Sequence, residues 1–176
     1  MMDQFEKELT ENKLILLYAL RSFSIPLTNL QLSRICWELD LMNYFDMQQC
    51  LYELGESILV DYFKKPHGYF YDITPPGIKT IEMFQKRIRL SLRKSLDAYA
   101  KENRSLLQRE TQYPADFQRL SAHRYLVTCR VIEGDSDIFS ISFDMPTAAQ
   151  AELICRNWKD QATAIYQHTV GLLLQS

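Results

Sequence analysis

Three features of the amino-acid sequence predict an α+β fold in several parts. Residues 1–76 hold three amphipathic segments with helix-capping residues, followed by two segments rich in β-branched and aromatic residues. Residues 77–107 contain no proline and show helical spacing. Residues 108–176 hold three strand-like segments and a final segment with helical spacing. We therefore predict an N-terminal domain over residues 1–86, a connecting helix over 87–107 and a C-terminal α+β domain over 108–176.

The composition predicts a cytoplasmic protein with a real hydrophobic core. A chain of 176 residues with 47% hydrophobic residues can bury enough apolar surface to fold without disulfides. Its longest apolar runs, such as "LILLYAL" (14–20), are far shorter than the roughly 18 residues needed to span a bilayer. The acidic N-terminus does not resemble a secretion signal. The cysteines have no paired spacing, which predicts free thiols and no zinc site: Cys36, Cys50, Cys129 and Cys155.

Charge is distributed unevenly along the chain. Residues 1–76 have 6 Lys/Arg against 11 Asp/Glu, a net charge of -5. Residues 77–112 have 9 against 4, a net of +5, and residues 113–176 have 5 against 7, a net of -2. Any polyanion that binds this chain must therefore contact the middle segment.

Helix caps begin the first two predicted helices. Thr10 precedes the apolar run "ENKLILLYALRSF" and is the predicted cap of helix one. Thr28 is followed three residues later by Gln31, the spacing of a capping box at the start of helix two. Three residues of helix two are expected to face inward: Leu32, Ile35 and Cys36.

A third helix and a hairpin complete the N-terminal domain. Asp46 and Gln49 repeat the capping spacing, Phe45 is expected to pack on Cys50, and Gly55 is the predicted left-handed stop. The segments 57–63 and 69–73 flank the turn "KKPHG" and predict a β-hairpin, after which Thr74 and Pro75 begin a fourth helix. Three helices, a hairpin and a helix form the order of a winged helix domain. Its wing would be Lys64-Lys65-Pro66-His67-Gly68.

The outer side of helix three is the predicted DNA-reading surface. With Met47, Cys50, Leu51 and Leu54 facing inward, the outer side presents Gln48, Gln49, Tyr52 and Glu53. Helix three contains no lysine or arginine, but glutamine can bind adenine edges while phosphate contacts come from elsewhere. The alternative is a solvated face without a partner. If the domain binds DNA, we expect Gln48, Gln49 and Tyr52 to contact bases and the wing lysines Lys64 and Lys65 to contact the backbone.

A basic stripe is predicted on the connecting helix. Ile88, Leu92 and Leu96 recur at helical spacing, and the positive charges fall on another side. The stripe supplies further candidate contacts to the DNA backbone: Arg87, Arg93, Lys94, Lys101 and Arg104. The alternative is again a solvated face.

The C-terminal domain is predicted to be a three-stranded antiparallel sheet covered by a long helix. The strands are "RETQYPADF", "HRYLVTCRV" and "DIFSISFD", with Pro114 expected to place the first at an edge. The second strand is expected to have one buried and one exposed face, because apolar and polar residues alternate along it: Tyr125, Val127, Cys129 and Val131 against Arg124, Thr128 and Arg130. Thr147 and Gln150 repeat the capping spacing before the last helix. Its seam is either the core of this domain or a surface shared with a second copy, and it contains Ala151, Cys155, Trp158, Ala162, Ile165, Thr169 and Leu172.

The chain resembles a bacterial family of winged helix proteins that is catalogued as a domain of unknown function and described as transcriptional regulators. The resemblance covers almost the whole chain and rests on segments such as "NYFDMQQCLYEL", "YFYDITPPG" and "AELICRNWKDQATAIY". It implies an N-terminal winged helix and a C-terminal α+β domain, and it supplies no catalytic or ligand residue. Arg89 stands where we expect proline in relatives, which favours a straighter middle helix in this chain.

Two functions from different classes remain. The three histidines belong to no catalytic motif, and the chain has no glycine-rich phosphate loop and no metal-ligand spacing, so we expect neither an enzyme nor a cofactor. The first hypothesis is a regulator that binds double-stranded DNA as a homodimer. The second is a winged helix that binds another protein and no DNA, which the acidic N-terminal part favours. The sequence does not decide whether a small-molecule effector acts on either.

Overall fold

The computed structural model describes residues 2–65 and 68–175. Within these residues the chain forms six α-helices and two three-stranded antiparallel sheets, which confirms the predicted α+β class. The chain divides into two compact units, Met1–Leu107 and Gln108–Ser176. Pro66 and His67, which the sequence analysis placed in the wing, lie outside the described residues.

The first unit combines helices with a small sheet. Its elements are α1 (Met2–Phe23), β1 (Leu27–Thr28), α2 (Asn29–Glu38), α3 (Tyr44–Glu56), β2 (Val60–Lys65), β3 (Gly68–Ile73), α4 (Pro75–Phe84), a 3-10 turn (Gln85–Arg87) and the first part of α5 (Leu90–Gln112). The short strand β1 was not predicted. It pairs with β3, so the sheet order is β1-β3-β2, and the predicted hairpin of β2 and β3 is confirmed.

The core of the first unit surrounds α1. Leu16, Leu20 and Phe23 of α1 are fully buried, and the side chains around them come from α2, α3, α4 and α5. On α5, Leu96 and Leu107 belong to this same core. The segment predicted as a connecting helix therefore packs into the first unit over much of its length.

Two predicted helix starts in the first unit, and the start at Thr147 in the second, are confirmed. The Thr28 hydroxyl accepts a hydrogen bond from the Gln31 backbone N–H, and the Gln31 side chain accepts one from the Thr28 backbone N–H, forming a capping box. Thr74 caps α4, with Pro75 at its first position. These local patterns were sufficient because a cap satisfies free N–H groups within a few residues.

The predicted limits of α1 and α3 were wrong. Thr10 lies inside α1, where its hydroxyl donates to the Glu6 carbonyl oxygen at 2.7 Å. Asn43, not Asp46, caps α3, because its side chain accepts the Asp46 backbone N–H at 2.9 Å. Gly55 is helical, and the left-handed residue beyond the helix is Ile58, with φ 58°.

The long helix, straight or bent, that helical spacing predicts over residues 77–107 is instead two helices, α4 and α5, joined by the 3-10 turn. The chain leaves helical geometry at Ile88, whose backbone is extended with φ -81° and ψ 134°. Ile88 is 1% exposed and belongs to the same core as Ile81 of α4 and Leu96 of α5. The helix is interrupted where the Ile88 side chain enters the core. The straighter middle helix that Arg89 suggested is therefore not formed.

The second unit is a sheet covered by one helix. Its elements are β4 (Ala115–Ser121), β5 (Arg124–Glu133), β6 (Ser136–Met145) and α6 (Ala148–Leu174), with sheet order β4-β5-β6. The predicted alternation along β5 is confirmed, since Val127, Cys129 and Val131 are buried. The first strand begins later than expected because α5 continues to Gln112. Pro114 precedes an edge strand, as predicted.

The cysteines and the helix compositions agree with the sequence analysis. The four cysteines are free thiols. Burial raises the pKa of Cys36 and of Cys50 to about 12 and that of Cys129 to about 11, so these thiols stay protonated at neutral pH. No helix of residues 2–65 and 68–175 has an apolar stretch long enough to cross a bilayer.

Candidate nucleic-acid interface

The outer side of α3 presents the three residues proposed as base contacts. Met47, Cys50, Leu51 and Leu54 are buried, as predicted. Gln49 is exposed, Tyr52 is 67% exposed and Gln48 is half-buried. The helix thus places all three side chains on its solvent side, with the polar groups of Gln48 and Gln49 in the first half of the helix.

Gln48 is held in place by α2. Its amide donates to the side-chain oxygen of Asn29 at 3.1 Å, and the Asn29 amide donates back to the Gln48 oxygen at 3.1 Å. Such a reciprocal pair fixes the orientation of both amides. The Asn29 amide also donates to the Tyr71 hydroxyl at 3.5 Å. The Gln48 amide still has a second N–H and a second lone pair with which to bind a ligand.

Gln49 belongs to a charged network on the neighbouring side of α3. Its amide donates to one oxygen of Glu53 at 2.6 Å, and Lys13 of α1 binds the other oxygen at 2.9 Å. The hydrogen bond from Gln49, with the ammonium of Lys13, lowers the pKa of the Glu53 carboxyl. Glu53 is thereby paired with a cation, which reduces the repulsion it would exert on a phosphate.

The hairpin carries the two lysines predicted to contact the backbone. Lys64 lies 5.7 Å from the centre of the Tyr69 ring, and Lys65 lies 5.7 Å and 5.6 Å from the rings of Phe63 and Phe70. Aromatic faces attract cations, so these contacts restrain the lysine side chains at the end of the hairpin. Both ammonium groups remain at the end of β2, beside the turn.

A groove of about 610 Å³ runs between α3 and the hairpin. Tyr62 and Tyr71 form one wall, with ring centres 5.1 Å apart, and Tyr52 of α3 contributes to the other. Glu56 and Asp61 also line it, and none of the described lysines or arginines does. The tyrosines and the two carboxylates make the lining of this groove aromatic and acidic.

Among the residues that the structure describes, no group of three or more histidine, cysteine or carboxylate residues is placed to hold a metal ion.

Several exposed residues near this surface were missed by the sequence analysis. Phe45 is 82% exposed instead of packing on Cys50, and its ring meets Tyr44 edge to face at 5.9 Å. On α2, Leu30 and Trp37 are 79% and 82% exposed. Their seven-residue spacing, which places both on one side of a helix, was the pattern that could have identified them.

The structure does not keep the predicted basic stripe on one helix. Arg87 lies in the 3-10 turn, with its guanidinium 5.9 Å from the Phe84 ring, and the extended Ile88 separates it from α5. On α5, Arg93 donates to the Ile88 carbonyl oxygen and Arg104 donates to that of Ser24. Lys94 and Lys101 are exposed, seven residues apart.

Contacts of α3 and of α5 lie on opposite sides of α1. Lys13 of α1 binds Glu53 of α3, whereas Ser22 of α1 donates to Asp97 of α5 at 2.9 Å. Nine residues at about 100° each bring Ser22 half a turn away from Lys13 around the helix axis. Glu53 and Asp97 therefore bind opposite faces of α1.

The seam of α6 is divided between core and surface. Ala151, Trp158 and Ala162 are buried, and the Trp158 indole donates to the Arg130 carbonyl oxygen at 3.0 Å. Cys155 is half-buried beside them. Two further members of the predicted seam, Ile165 and Leu172, are 37% and 55% exposed.

Comparison with known proteins identifies the family of this chain. The model of the family described as "Domain of unknown function (DUF4364)" matches residues 12–173. The chain belongs to this family. Searches of curated proteins and of solved structures gave no match. The DUF4364 match includes both units and every residue proposed above as a DNA contact or seam residue, so these residues lie within the family's own domain.

Proposed function

We propose that this chain is a transcriptional regulator that binds double-stranded DNA as a homodimer through an N-terminal winged helix domain. The order of elements supports this proposal most directly. Helix, short strand, two helices and a hairpin follow one another, and the short strand pairs with the second hairpin strand in the order β1-β3-β2. This order supports a winged helix, in which the second helix of the helix-turn-helix enters the major groove. In this proposal that helix is α3.

The chemistry of α3 suits base recognition better than phosphate binding. Gln48 is held by Asn29 with hydrogen-bonding capacity to spare, and glutamine can form two hydrogen bonds to adenine. Tyr52 offers an exposed hydroxyl. Lys64 and Lys65 of the wing would bind the backbone. Since Glu53 of α3 and Asp97 of α5 bind opposite faces of α1, we assign the α5 cations to long-range attraction: Arg93, Lys94, Lys101 and Arg104.

The proposal can be tested with duplexes selected from a random pool, whose binding is then measured by fluorescence anisotropy across a salt series. Lys64→Ala/Lys65→Ala should weaken binding to all duplexes and reduce the salt dependence by about two phosphate contacts. Lys94→Ala/Lys101→Ala removes the same charge from α5 and is the matched control, with a smaller loss. Gln48→Ala should change the sequence preference. Absence of saturable binding by the full chain at low salt would reject the proposal.

A protein-interaction module is the second candidate, and the acidic groove favours it. Glu56 and Asp61 line a groove of tyrosines, which would attract an arginine- or lysine-rich segment of a partner. Glu56→Gln/Asp61→Asn separates the two candidates. It should strengthen DNA binding, because it removes repulsion from phosphates, but it should weaken binding of a basic peptide. We propose no enzymatic activity.

A further inference from the structure

Strand β6 leaves one edge of the second sheet open. In the order β4-β5-β6, β6 pairs with β5 on one side, and no strand of the described residues pairs with its other side. Open edges usually have a charge, a proline or a bulge that prevents pairing with another chain. The β4 edge has such features, since Pro114 precedes it, Asp116 lies within it and its register shifts between Arg119 and Ser121.

The middle of β6 lacks these protections. Residues 139–143, "FSISF", contain no charge and no proline. The register shift opposite Val131/Ile132 is a bulge at Ile138, and residues 139–143 beyond it pair regularly with β5. A regular, uncharged strand of alternating apolar and small polar residues is an efficient template for pairing with another strand.

The side chains of β6 on the face toward α6, its inner row, are also covered incompletely: Phe139, Ile141 and Phe143. The outer row is on the opposite face. On β5, Val127 and Cys129 are 0% exposed, whereas their neighbours Phe143 and Ile141 on β6 are only half-buried. The helix α6 packs mainly over β5 and β4 and less over β6. Apolar surface is therefore left at the open edge, where a further strand would cover it.

The sequence of β6 is self-complementary about one residue. Phe139-Ser140-Ile141-Ser142-Phe143 has the same order in both directions. If two copies pair antiparallel with Ile141 opposite Ile141 of the second copy, each phenylalanine of the inner row opposes a phenylalanine. In the outer row, Ser140 then opposes Ser142. An isologous dimer requires a surface that is complementary to itself in this way.

We propose that two copies of this chain join through β6 to form one six-stranded antiparallel sheet with its two-fold axis at Ile141. This inference rests on the homodimer of the proposed function and identifies its surface. Other registers that keep the inner rows together are poorer. Moving the axis by one residue toward the N-terminus places Asp137 opposite Phe143, and the opposite shift places Ser140 opposite Asp144.

The first experiment is measurement of the mass of the full chain without DNA, by light scattering at tens of micromolar. The wild-type chain should have the mass of a dimer. Ser140→Glu/Ser142→Glu should be largely monomeric, because each glutamate faces a glutamate of the second copy across the axis. Gln118→Glu/Leu120→Glu is the matched control, since it adds the same charges with the same spacing to the exposed outer row of β4. It should remain dimeric, and far-UV circular dichroism should show folded protein in both variants.

A disulfide experiment tests the register. Chains with Ser140→Cys and chains with Ser142→Cys, with different affinity tags, are expressed together and oxidised mildly. Directly opposed residues have Cβ atoms about 4.5–5.5 Å apart, close to disulfide geometry, whereas diagonal neighbours are about 7–8 Å apart. The mixed disulfide should therefore form in large excess over either homodimeric disulfide. The wild-type chain, whose cysteines are mostly buried, should form none.

The outcomes separate this inference from the proposed function. A monomeric wild-type chain, a dimer that persists in Ser140→Glu/Ser142→Glu, or equal yields of mixed and homodimeric disulfides would overturn the β6 interface. Dimers with the expected mixed disulfide but without DNA binding would support the interface and reject the regulator. DNA binding by a chain whose dimer is insensitive to β6 would reject the interface alone.

Discussion

Replacing Gln31 by alanine should destabilise the first unit far more than an exposed cap residue would. The Gln31 side chain is 4% exposed and forms two hydrogen bonds that matter for folding. Its oxygen accepts the Thr28 backbone N–H at 3.1 Å, and its amide donates to the Leu107 carbonyl oxygen of α5 at 3.0 Å. Gln31 therefore joins the start of α2 to the last core residue of α5 in the first unit.

The expected loss can be built from these contacts. Loss of the reciprocal cap costs about 0.5–1 kcal/mol. Loss of the buried hydrogen bond to Leu107 costs about 1 kcal/mol, and the space left by the shortened side chain costs about 1–2 kcal/mol more. The free energy of unfolding should therefore fall by about 2.5–4 kcal/mol in total.

Urea unfolding followed by far-UV circular dichroism measures this change. With a slope of about 2 kcal/mol per molar urea, the midpoint should fall by about 1–2 M. Gln150→Ala is the control, because Gln150 is exposed and shares the same spacing with the cap Thr147. It should cost no more than about 0.5 kcal/mol. Equal midpoints for Gln31→Ala and Gln150→Ala would refute the reasoning.

Four further substitutions have expected signs that follow from the structure. Gly77→Ala should destabilise by more than about 2 kcal/mol in thermal unfolding, because its Cβ would lie 2.1 Å from the Leu59 carbonyl oxygen. Gly55→Ala should instead stabilise by about 0.5–1 kcal/mol, because Gly55 is helical and nothing lies within 4 Å of the added Cβ. A lower stability of this variant would mean that Gly55 is the left-handed stop that the sequence predicted. Ile58→Gly should stabilise by about 1 kcal/mol in urea unfolding, because a β-branched residue is strained at φ 58°, and an unchanged midpoint would contradict that strain. Burial, with the nearby carboxylate Asp61, raises the pKa of Asp72. The contribution of Asp72 to folding stability is therefore greatest below its unfolded pKa of about 3.9, and it is lost as pH rises through the folded pKa. Asp72→Asn should thus stabilise by less than about 1 kcal/mol at pH 7, with a smaller gain or none near pH 4, which urea midpoints at both pH values would check.

Local capping patterns of the sequence determined several helix starts correctly. Thr28 with Gln31, Thr74 with Pro75, and Thr147 all lie where the sequence places them, because each satisfies free N–H groups within the same turn of helix. For α3 the capping spacing indicated the wrong residue. Asn43 caps α3 in place of the predicted Asp46, because its side chain accepts the Asp46 backbone N–H.

Periodicity determined which side chains are buried but not how the elements are joined. The inward residues of α3 and β5 are buried as the sequence predicts, since alternation and helical spacing follow from backbone geometry. The break at Ile88 could not be predicted in the same way. It depends on a core position supplied by distant parts of the chain, and burying that side chain outweighs the hydrogen bonds of a continuous helix.

The sequence by itself determined the composition of the candidate site, and the tertiary structure decided its arrangement. Gln48, Gln49 and Tyr52 were assigned to one outer surface because residues three and four apart on a helix are neighbours. That Gln48 binds Asn29, and that Glu53 and Asp97 bind opposite faces of α1, depends on helix packing between residues distant in the chain. Charge counts along a sequence do not contain this information, because the potential at a surface depends on where folding places each charge.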